Sequence, residues 1–169
     1  MKKALNLISN ILLAAMVIFL ITTRLPGMIE HYRQEGATAP DFTISLLQGK
    51  SFTLNENKEP LVIVFWATWC GPCEVELSRL NNLIIEKKIK AESVLTISSL
   101  EDPTLVQKTV SHRQYQFAVG LDPSGKVAKD YKVAGTPTLV FVDREKKIKW
   151  LSTGLSPTLE LRVTQFLKK

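Results

Sequence analysis

The stretch Trp69-Cys70-Gly71-Pro72-Cys73 contains the only two cysteines of the 169-residue chain, and it lies between two regular patterns. Six consecutive apolar residues, Leu61–Trp66, precede it and predict a strand buried on both faces of a sheet. A helical spacing of apolar residues starts at Cys73 and continues to Leu77, Leu80 and Ile84. The two thiols are therefore expected at a tight turn between a buried strand and the first turn of a helix.

This position favours redox chemistry at the two thiols. Cysteines three residues apart on a first helical turn are close enough to form a small disulfide. The helix N-terminus carries unpaired N–H groups and partial positive charge, and both favour the thiolate form of Cys70. A reactive thiolate with a second thiol behind it is what thiol–disulfide exchange requires. A purely structural disulfide is the alternative, although so short a loop restrains the unfolded chain little.

Composition indicates one globular domain with a modest basic excess. The chain is 45% hydrophobic and has a formal net charge of +6. Its lysines cluster at predicted element ends, which indicates a solvated surface. The alternative is a surface that binds an anionic membrane or a nucleic acid. We expect no nucleic-acid partner. The two cysteines and two histidines form no zinc pattern, so no metal site is predicted. No flavin or nicotinamide motif occurs either, and no cofactor is expected.

The N-terminal segment predicts a membrane anchor. Residues 4–23 contain no charged side chain, and about 20 apolar residues span a bilayer as a helix. Lys2 and Lys3 precede the segment, which places the N-terminus in the cytoplasm and the remaining chain outside. We therefore expect a single-pass anchor at residues 1–23 and a linker at residues 24–38. A cleaved signal peptide is the alternative, but a suitable cleavage site does not follow closely.

The remaining chain, residues 39–169, predicts a sheet covered by helices on both faces. A hairpin turn at residues 48–50 separates two short strands, and Asp102-Pro103 is an N-cap followed by proline that opens a helix. The last helix is expected to start at Ser156-Pro157. Besides Leu61–Trp66 and the hairpin, strands are predicted at residues 93–98, 116–121, 138–143 and 148–153. Strands that alternate with helices and then end in a hairpin indicate an α/β fold with a mixed sheet.

Three motifs resemble those of one protein family. The segment from Phe65 to Cys73 resembles the active-site segment of thioredoxin-fold proteins, and Thr136-Pro137-Thr138 resembles their cis-proline loop. Ala39-Pro40-Asp41-Phe42, followed by Gln48-Gly49-Lys50, resembles the opening of the membrane-anchored TlpA/ResA-like thiol–disulfide oxidoreductases. The tail from Thr153-Gly154-Leu155 through Arg162 is similar to that of the short anchored protein disulfide oxidoreductases associated with copper-sensitivity suppression. The resemblance implies a thioredoxin-like fold over residues 39–169.

The resemblance also implies roles for the motif residues. Cys70 is expected to attack a partner disulfide as a thiolate, and Cys73 is expected to resolve the mixed disulfide. Trp69 and Gly71-Pro72 are expected to shape the groove that receives the partner. Thr136-Pro137 is expected to be a cis peptide opposite Cys70, where the Thr136 backbone pairs with an extended substrate strand.

Glu76 is a third candidate catalytic residue. It follows Cys73 by three residues and therefore shares its helix face. One interpretation is a surface ion pair with Arg79; the other is a buried carboxylate that exchanges a proton with Cys73. Anchored family members carry glutamate at this place. The aspartate that soluble thioredoxins carry six residues before the first cysteine is replaced here by Val64, which leaves Glu76 as the nearby carboxylate.

Together these features predict an extracytoplasmic enzyme that reduces disulfides in other proteins. The Gly71-Pro72 pair is similar to that of the reducing members of the fold. A membrane electron donor is expected to reduce the enzyme again. The alternatives are a disulfide donor, which a reduction potential would distinguish, and a copper-binding assembly factor, which lacks nearby His or Met ligands. A peroxidase of the related fold is a weaker alternative, because its reactive cysteine lies in a different local pattern.

Overall fold

The computed structural model describes residue 10, residues 12–22 and residues 34–168. The chain divides into two compact units, Met1–Gln34 and Glu35–Lys169. In the first unit, residues 12–22 are helical and expose large apolar side chains such as Leu12 and Phe19. Across the described residues, no helix combines the length and apolar composition needed to cross a bilayer. The rest of the predicted anchor and residues 24–33 of the predicted linker lie outside the described residues.

The second unit is built on one seven-stranded mixed sheet. Strands β3, β4 and β5 run parallel to one another at its centre, and β6 pairs antiparallel with β3. The strand order across the sheet is β2-β1-β5-β4-β3-β6-β7. The strands are β1 (Thr43–Leu46), β2 (Ser51–Thr53), β3 (Leu61–Trp66), β4 (Val94–Ser99), β5 (Ala118–Asp122), β6 (Thr138–Val142) and β7 (Ile148–Thr153).

Four helices cover the two faces of this sheet. They are α1 (Gly71–Ile85), α2 (Pro103–Arg113), α3 (Lys126–Asp130) and α4 (Leu159–Leu167). Because successive side chains of a strand point to opposite faces, β3 contributes to two cores. Val62 and Val64 pack in the core that includes residues of α1, α2 and α4. Ile63 and Phe65 pack in the core that includes Val127 of α3. The α/β fold with a mixed sheet covered on both faces is therefore confirmed.

Hydrogen bonds explain several of the element boundaries. Asp102 caps α2, because its Oδ1 accepts from the N–H groups of Thr104 and Leu105 at 2.8 and 3.2 Å. The fifth strand begins at Ala118 instead of Gln116, because the Gln116 N–H donates to Asn81 Oδ1 at 2.8 Å. The last helix begins at Leu159, later than predicted, because residues 156–159 form a turn in which the Leu159 N–H donates to the Ser156 carbonyl at 3.2 Å.

The second unit begins before β1. The Gly36 N–H donates to the Ile148 carbonyl at 2.7 Å, and the Ile148 N–H donates to the Ala37 carbonyl at 2.9 Å. Thr38 forms an antiparallel bridge with Lys147. Residues 36–38, placed in the linker by the sequence analysis, thus lie along the start of β7.

Candidate active site

The two cysteines lie where β3 ends and α1 begins. Cys70 is the N-cap of α1, and its Sγ accepts a hydrogen bond from the Cys73 N–H at 3.2 Å. The structure places the two sulfurs in a disulfide, with the Cα atoms 5.2 Å apart. Proline at the start of α1 costs no helical hydrogen bond, since the first N–H groups of a helix lack intrahelical partners. The sulfur of Cys70 is thus held at the positive end of a helix.

Exposure differs sharply between the residues of this turn. The side chain of Trp69 is 79% exposed, whereas Cys70 is 7% exposed and Cys73 is fully buried. Gly71 and Pro72 are both exposed. Only the first cysteine therefore reaches the surface, and it does so beside an exposed indole ring. A partner disulfide can contact Cys70 directly, while Cys73 can only react with the sulfur of Cys70.

A second loop lies against Cys70. The Thr136–Pro137 peptide bond is cis, and the Thr136 carbonyl oxygen is 3.5 Å from Cys70 Sγ. Thr138 Oγ1 donates to the Gly135 carbonyl at 2.7 Å and thereby closes the loop. The loop precedes β6, which pairs with β3, so the sheet brings the two segments together over 66 residues of sequence. The structure thus assembles Trp69, Cys70 and Thr136-Pro137 at one edge.

Glu76 is buried and bound on both carboxylate oxygens. Its side chain is 0% exposed. Oε1 accepts a hydrogen bond from the Ser156 N–H, and Oε2 lies 3.2 Å from Nη1 of Arg79. The pair with Arg79 therefore forms, but its carboxylate is inside the protein and not at the surface. Cys73 is also fully buried and lies one turn earlier, where the Cβ atoms of a helix are about 5–6 Å apart.

Glu101 is a site residue that the sequence analysis missed. It follows β4, and its carboxylate accepts from the Thr68 N–H at 3.0 Å and from the hydroxyls of Thr68 and Ser98 at 2.5 Å. Thr68 precedes Cys70 by two residues, so Glu101 fixes the loop that carries the thiol. The one available signal was topological: β3 and β4 are parallel, and the carboxyl ends of parallel strands lie at the same sheet edge.

A small cavity of about 20 Å³ lies on the other side of Cys70. Trp66, Glu74 and Tyr115 contribute to its lining. Burial raises the pKa of Tyr115 above its ordinary value, so its phenol is protonated at neutral pH. The rings of Trp66 and Tyr115 meet edge to face with centroids 6.4 Å apart. The lining also contains Thr68, Thr109 and the ion pair of Glu74 with Arg113, so this side of the thiol combines aromatic rings with polar and charged groups.

The described part of the chain contains no group of three or more His, Cys, Asp or Glu side chains that could hold a metal ion. This edge of the sheet presents two sulfurs, a helix N-terminus and nearby carboxylates. Such a set can exchange disulfides, because the reaction needs a thiolate, a resolving thiol and a proton acceptor.

Comparisons with known proteins agree with this geometry. Residues 36–151 match the AhpC/TSA family. A thiol-disulfide oxidoreductase ResA from Bacillus thuringiensis subsp. konkukian is 32% identical over 120 residues, which cover 70% of this chain and 69% of that protein. A second ResA, from Oceanobacillus iheyensis, is 29% identical over 158 residues, or 85% of this chain and 77% of that one.

Solved structures show the same fold. The thioredoxin domain of a thiol-disulfide oxidoreductase from Bacteroides vulgatus superimposes with a TM-score of 0.69 at 23% identity. The superposition covers 79% of this chain and 97% of that domain. At this identity the likeness supports the thioredoxin-like fold.

Proposed function

The chain belongs to the AhpC/TSA family and is a thiol-disulfide oxidoreductase of the ResA type, and we propose that it reduces disulfides in partner proteins outside the cytoplasm. The observation that carries the proposal is the pairing of one surface thiol, Cys70, with one buried thiol, Cys73, opposite the cis-proline loop. The sulfur that reaches the surface attacks the partner, and the buried one completes the reaction.

The proposed reaction begins with the reduced pair. The thiolate of Cys70 attacks a sulfur of the partner disulfide, a mixed disulfide forms, and the other partner sulfur leaves as a thiolate. Cys73 then loses its proton and attacks Cys70 Sγ, which releases the second partner thiol and forms the Cys70–Cys73 bond. We propose that Glu76, whose buried carboxylate lies one turn from Cys73, accepts this proton.

The partner binds as an extended strand in this proposal. The Thr136 backbone beside Cys70 offers main-chain hydrogen bonds, which is the usual way that an extended peptide adds to an exposed backbone edge. Trp69, which is exposed, and the surface of Gly71-Pro72 form the opposite wall. The exposed indole supplies apolar contact area, and aromatic side chains are enriched at such interfaces.

Two measurements test the reaction and its direction. The Cys73→Ala variant keeps Cys70 and removes the resolving thiol, so we expect it to accumulate disulfide-linked partners that mass spectrometry identifies. A Cys70→Ala variant is the matched control and should trap none. The reduction potential of the pair should lie near the thioredoxin value of about −270 mV; a value near about −120 mV would instead identify a disulfide donor.

The proposed location is the outer face of the bacterial cytoplasmic membrane. It rests on the uncharged residues 4–23 after Lys2 and Lys3. In a bacterial expression host, we expect membrane-bound full-length protein whose globular unit is degraded by protease added to spheroplasts. Protection from the protease would contradict this location, and a mature N-terminus beyond residue 23 would identify a cleaved signal peptide. The electron donor that reduces the pair again is proposed to be a membrane protein.

A further inference from the structure

Arg79 connects the active-site helix to the loop between β7 and α4. Its Nη1 donates to Glu76 Oε2 at 3.2 Å and to the Ser156 carbonyl at 2.8 Å. Its Nε donates to Glu160 Oε1 at 3.4 Å. The Arg79 side chain is only 27% exposed. The guanidinium is therefore fixed by three separate acceptors, unlike the side chain of an ordinary surface ion pair.

These contacts compensate for the burial of the Glu76 carboxylate. A fully buried carboxylate stays ionised only when a cation and hydrogen-bond donors replace the lost water. Arg79 supplies the cation, and the Ser156 N–H supplies a donor. Glu160 contacts Arg79 from α4, Lys88 interacts electrostatically with Glu160, and Cys73 lies one turn earlier on α1.

We infer that Arg79 is a positioning residue for disulfide exchange: it keeps Glu76 in the charged form and so sets the pH range in which Glu76 accepts the proton of Cys73. The inference rests on the proposed resolving step, in which Glu76 is the proton acceptor. Arg79 itself contacts neither sulfur in this scheme. It acts through the carboxylate to which it is bound.

The resolving step shows why the charge of Glu76 matters. The thiol proton of Cys73 moves to Glu76, and the sulfur electron pair forms the bond to Cys70 Sγ. The bond between Cys70 and the partner sulfur breaks, and its electron pair leaves with the partner thiolate. The cysteine pair has then lost two electrons and the partner disulfide has gained them. A Glu76 that is already protonated cannot accept the proton, so the step slows at that pH.

The same contacts also fix the loop next to the cis-proline segment. The Gly154 N–H donates to the Pro137 carbonyl at 2.8 Å, two residues before Ser156. Loss of Arg79 could therefore act on the site through the backbone as well as through Glu76. The experiment must separate these two routes, and the pH dependence of the resolving step separates them.

The test uses the full-length reduced protein in detergent and the aromatic disulfide 5,5′-dithiobis(2-nitrobenzoic acid). Stopped-flow absorbance follows the second thiolate, which is released when Cys73 attacks the mixed disulfide on Cys70. In the Arg79→Met variant, we expect the acid limb of this rate to move to higher pH, since loss of the neighbouring cation disfavours the charged carboxylate. Arg79→Lys should restore most of the original limb.

Two controls decide the mechanism. Arg144→Met removes the arginine that pairs with Glu59 from the turn between β6 and β7, and it should leave the limb in place. The Glu76→Gln variant should lack this limb, and in that background Arg79→Met should leave the pH profile unchanged, because the group through which it acts is gone. An unmoved limb in Arg79→Met, or a pH profile that Arg79→Met still changes in the Glu76→Gln background, overturns the inference. Failure of the wild-type protein to reduce a protein disulfide would overturn the proposed function instead.

Discussion

Replacing Glu101 with alanine tests whether one carboxylate holds the active-site loop. The variant removes the acceptor of three donors, namely the Thr68 N–H and the hydroxyls of Thr68 and Ser98. Hydrogen bonds to a charged group contribute about 1.5–3 kcal/mol each, and the partial exposure of this site favours values below that range. We therefore expect the free energy of unfolding to fall by roughly 3 kcal/mol, taking about 1 kcal/mol for each bond.

The assay is reversible urea unfolding of the oxidised protein, followed by circular dichroism. For a unit of this size, a loss of roughly 3 kcal/mol corresponds to a melting temperature lower by about 10 °C. The exchange rate should fall as well, because the loop that carries Cys70 is no longer held against β4. Glu145→Ala, in the exposed turn before β7, is the matched control and should change stability by less than about 0.5 kcal/mol.

A double-mutant cycle with Thr68→Val assigns the loss to the proposed contact. This second variant removes the hydroxyl donor but keeps the backbone N–H of residue 68. If Thr68 and Glu101 interact, the two losses should add to more than the loss of the double variant. Strict additivity, or a loss below about 1 kcal/mol for Glu101→Ala, would refute the assignment of Glu101 as the support of the loop.

Three further predictions concern other single residues. Glu76→Gln should keep the native circular dichroism spectrum but abolish the acid limb of the resolving step; an unchanged limb would return Glu76 to a structural role. The pKa of Asp102 is lowered, chiefly by the hydrogen bond from the Leu105 N–H. This carboxylate therefore stabilises the fold at pH values above its unfolded pKa of about 3.9. The stabilisation is lost as the pH falls through the lower pKa of the folded state. Asp102→Asn should therefore flatten the pH dependence of urea unfolding below about pH 4. Gly125→Ala should lower the free energy of unfolding in urea by roughly 1–2 kcal/mol. The reason is that Gly125 has φ +68°, and an added Cβ would lie 2.9 Å from Leu100 Cδ2. Wild-type stability in this variant would contradict the expected strain.

Local patterns predicted the elements that carry the thiols. The run Leu61–Trp66 is a fully buried strand, as its consecutive apolar residues indicated. Asp102 caps a helix that starts at Pro103, and the charged turn after β6 leads into Ile148–Thr153. In each case the deciding interactions join residues close in sequence, so apolar spacing and capping chemistry contain the information.

The interactions that complete the site join distant residues, and the sequence offered no equivalent signal for them. Thr68 and Glu101 are separated by 33 positions, and Glu76 and Ser156 by 80. The predicted start of β5 was wrong for the same reason. The Gln116 N–H donates to Asn81 Oδ1, 35 positions earlier, and therefore does not join the ladder. A long-range polar contact can therefore move an element boundary that local propensity would place earlier.

The position of Glu76 explains how this fold can hold a charge next to a buried thiol. Val64 and Cys73 belong to the same apolar core, so a carboxylate at position 64 would be surrounded by hydrocarbon. From the helix, Glu76 instead reaches the Ser156 N–H and Arg79, whose guanidinium extends to partly exposed Glu160. A buried charge is tolerated when a cation and donors compensate for lost hydration. Because Arg79 also binds the Ser156 carbonyl, the acceptor that we propose for the Cys73 proton is tied to the loop beside Pro137. Proton transfer at Cys73 and the geometry opposite Cys70 consequently depend on the same ion pair.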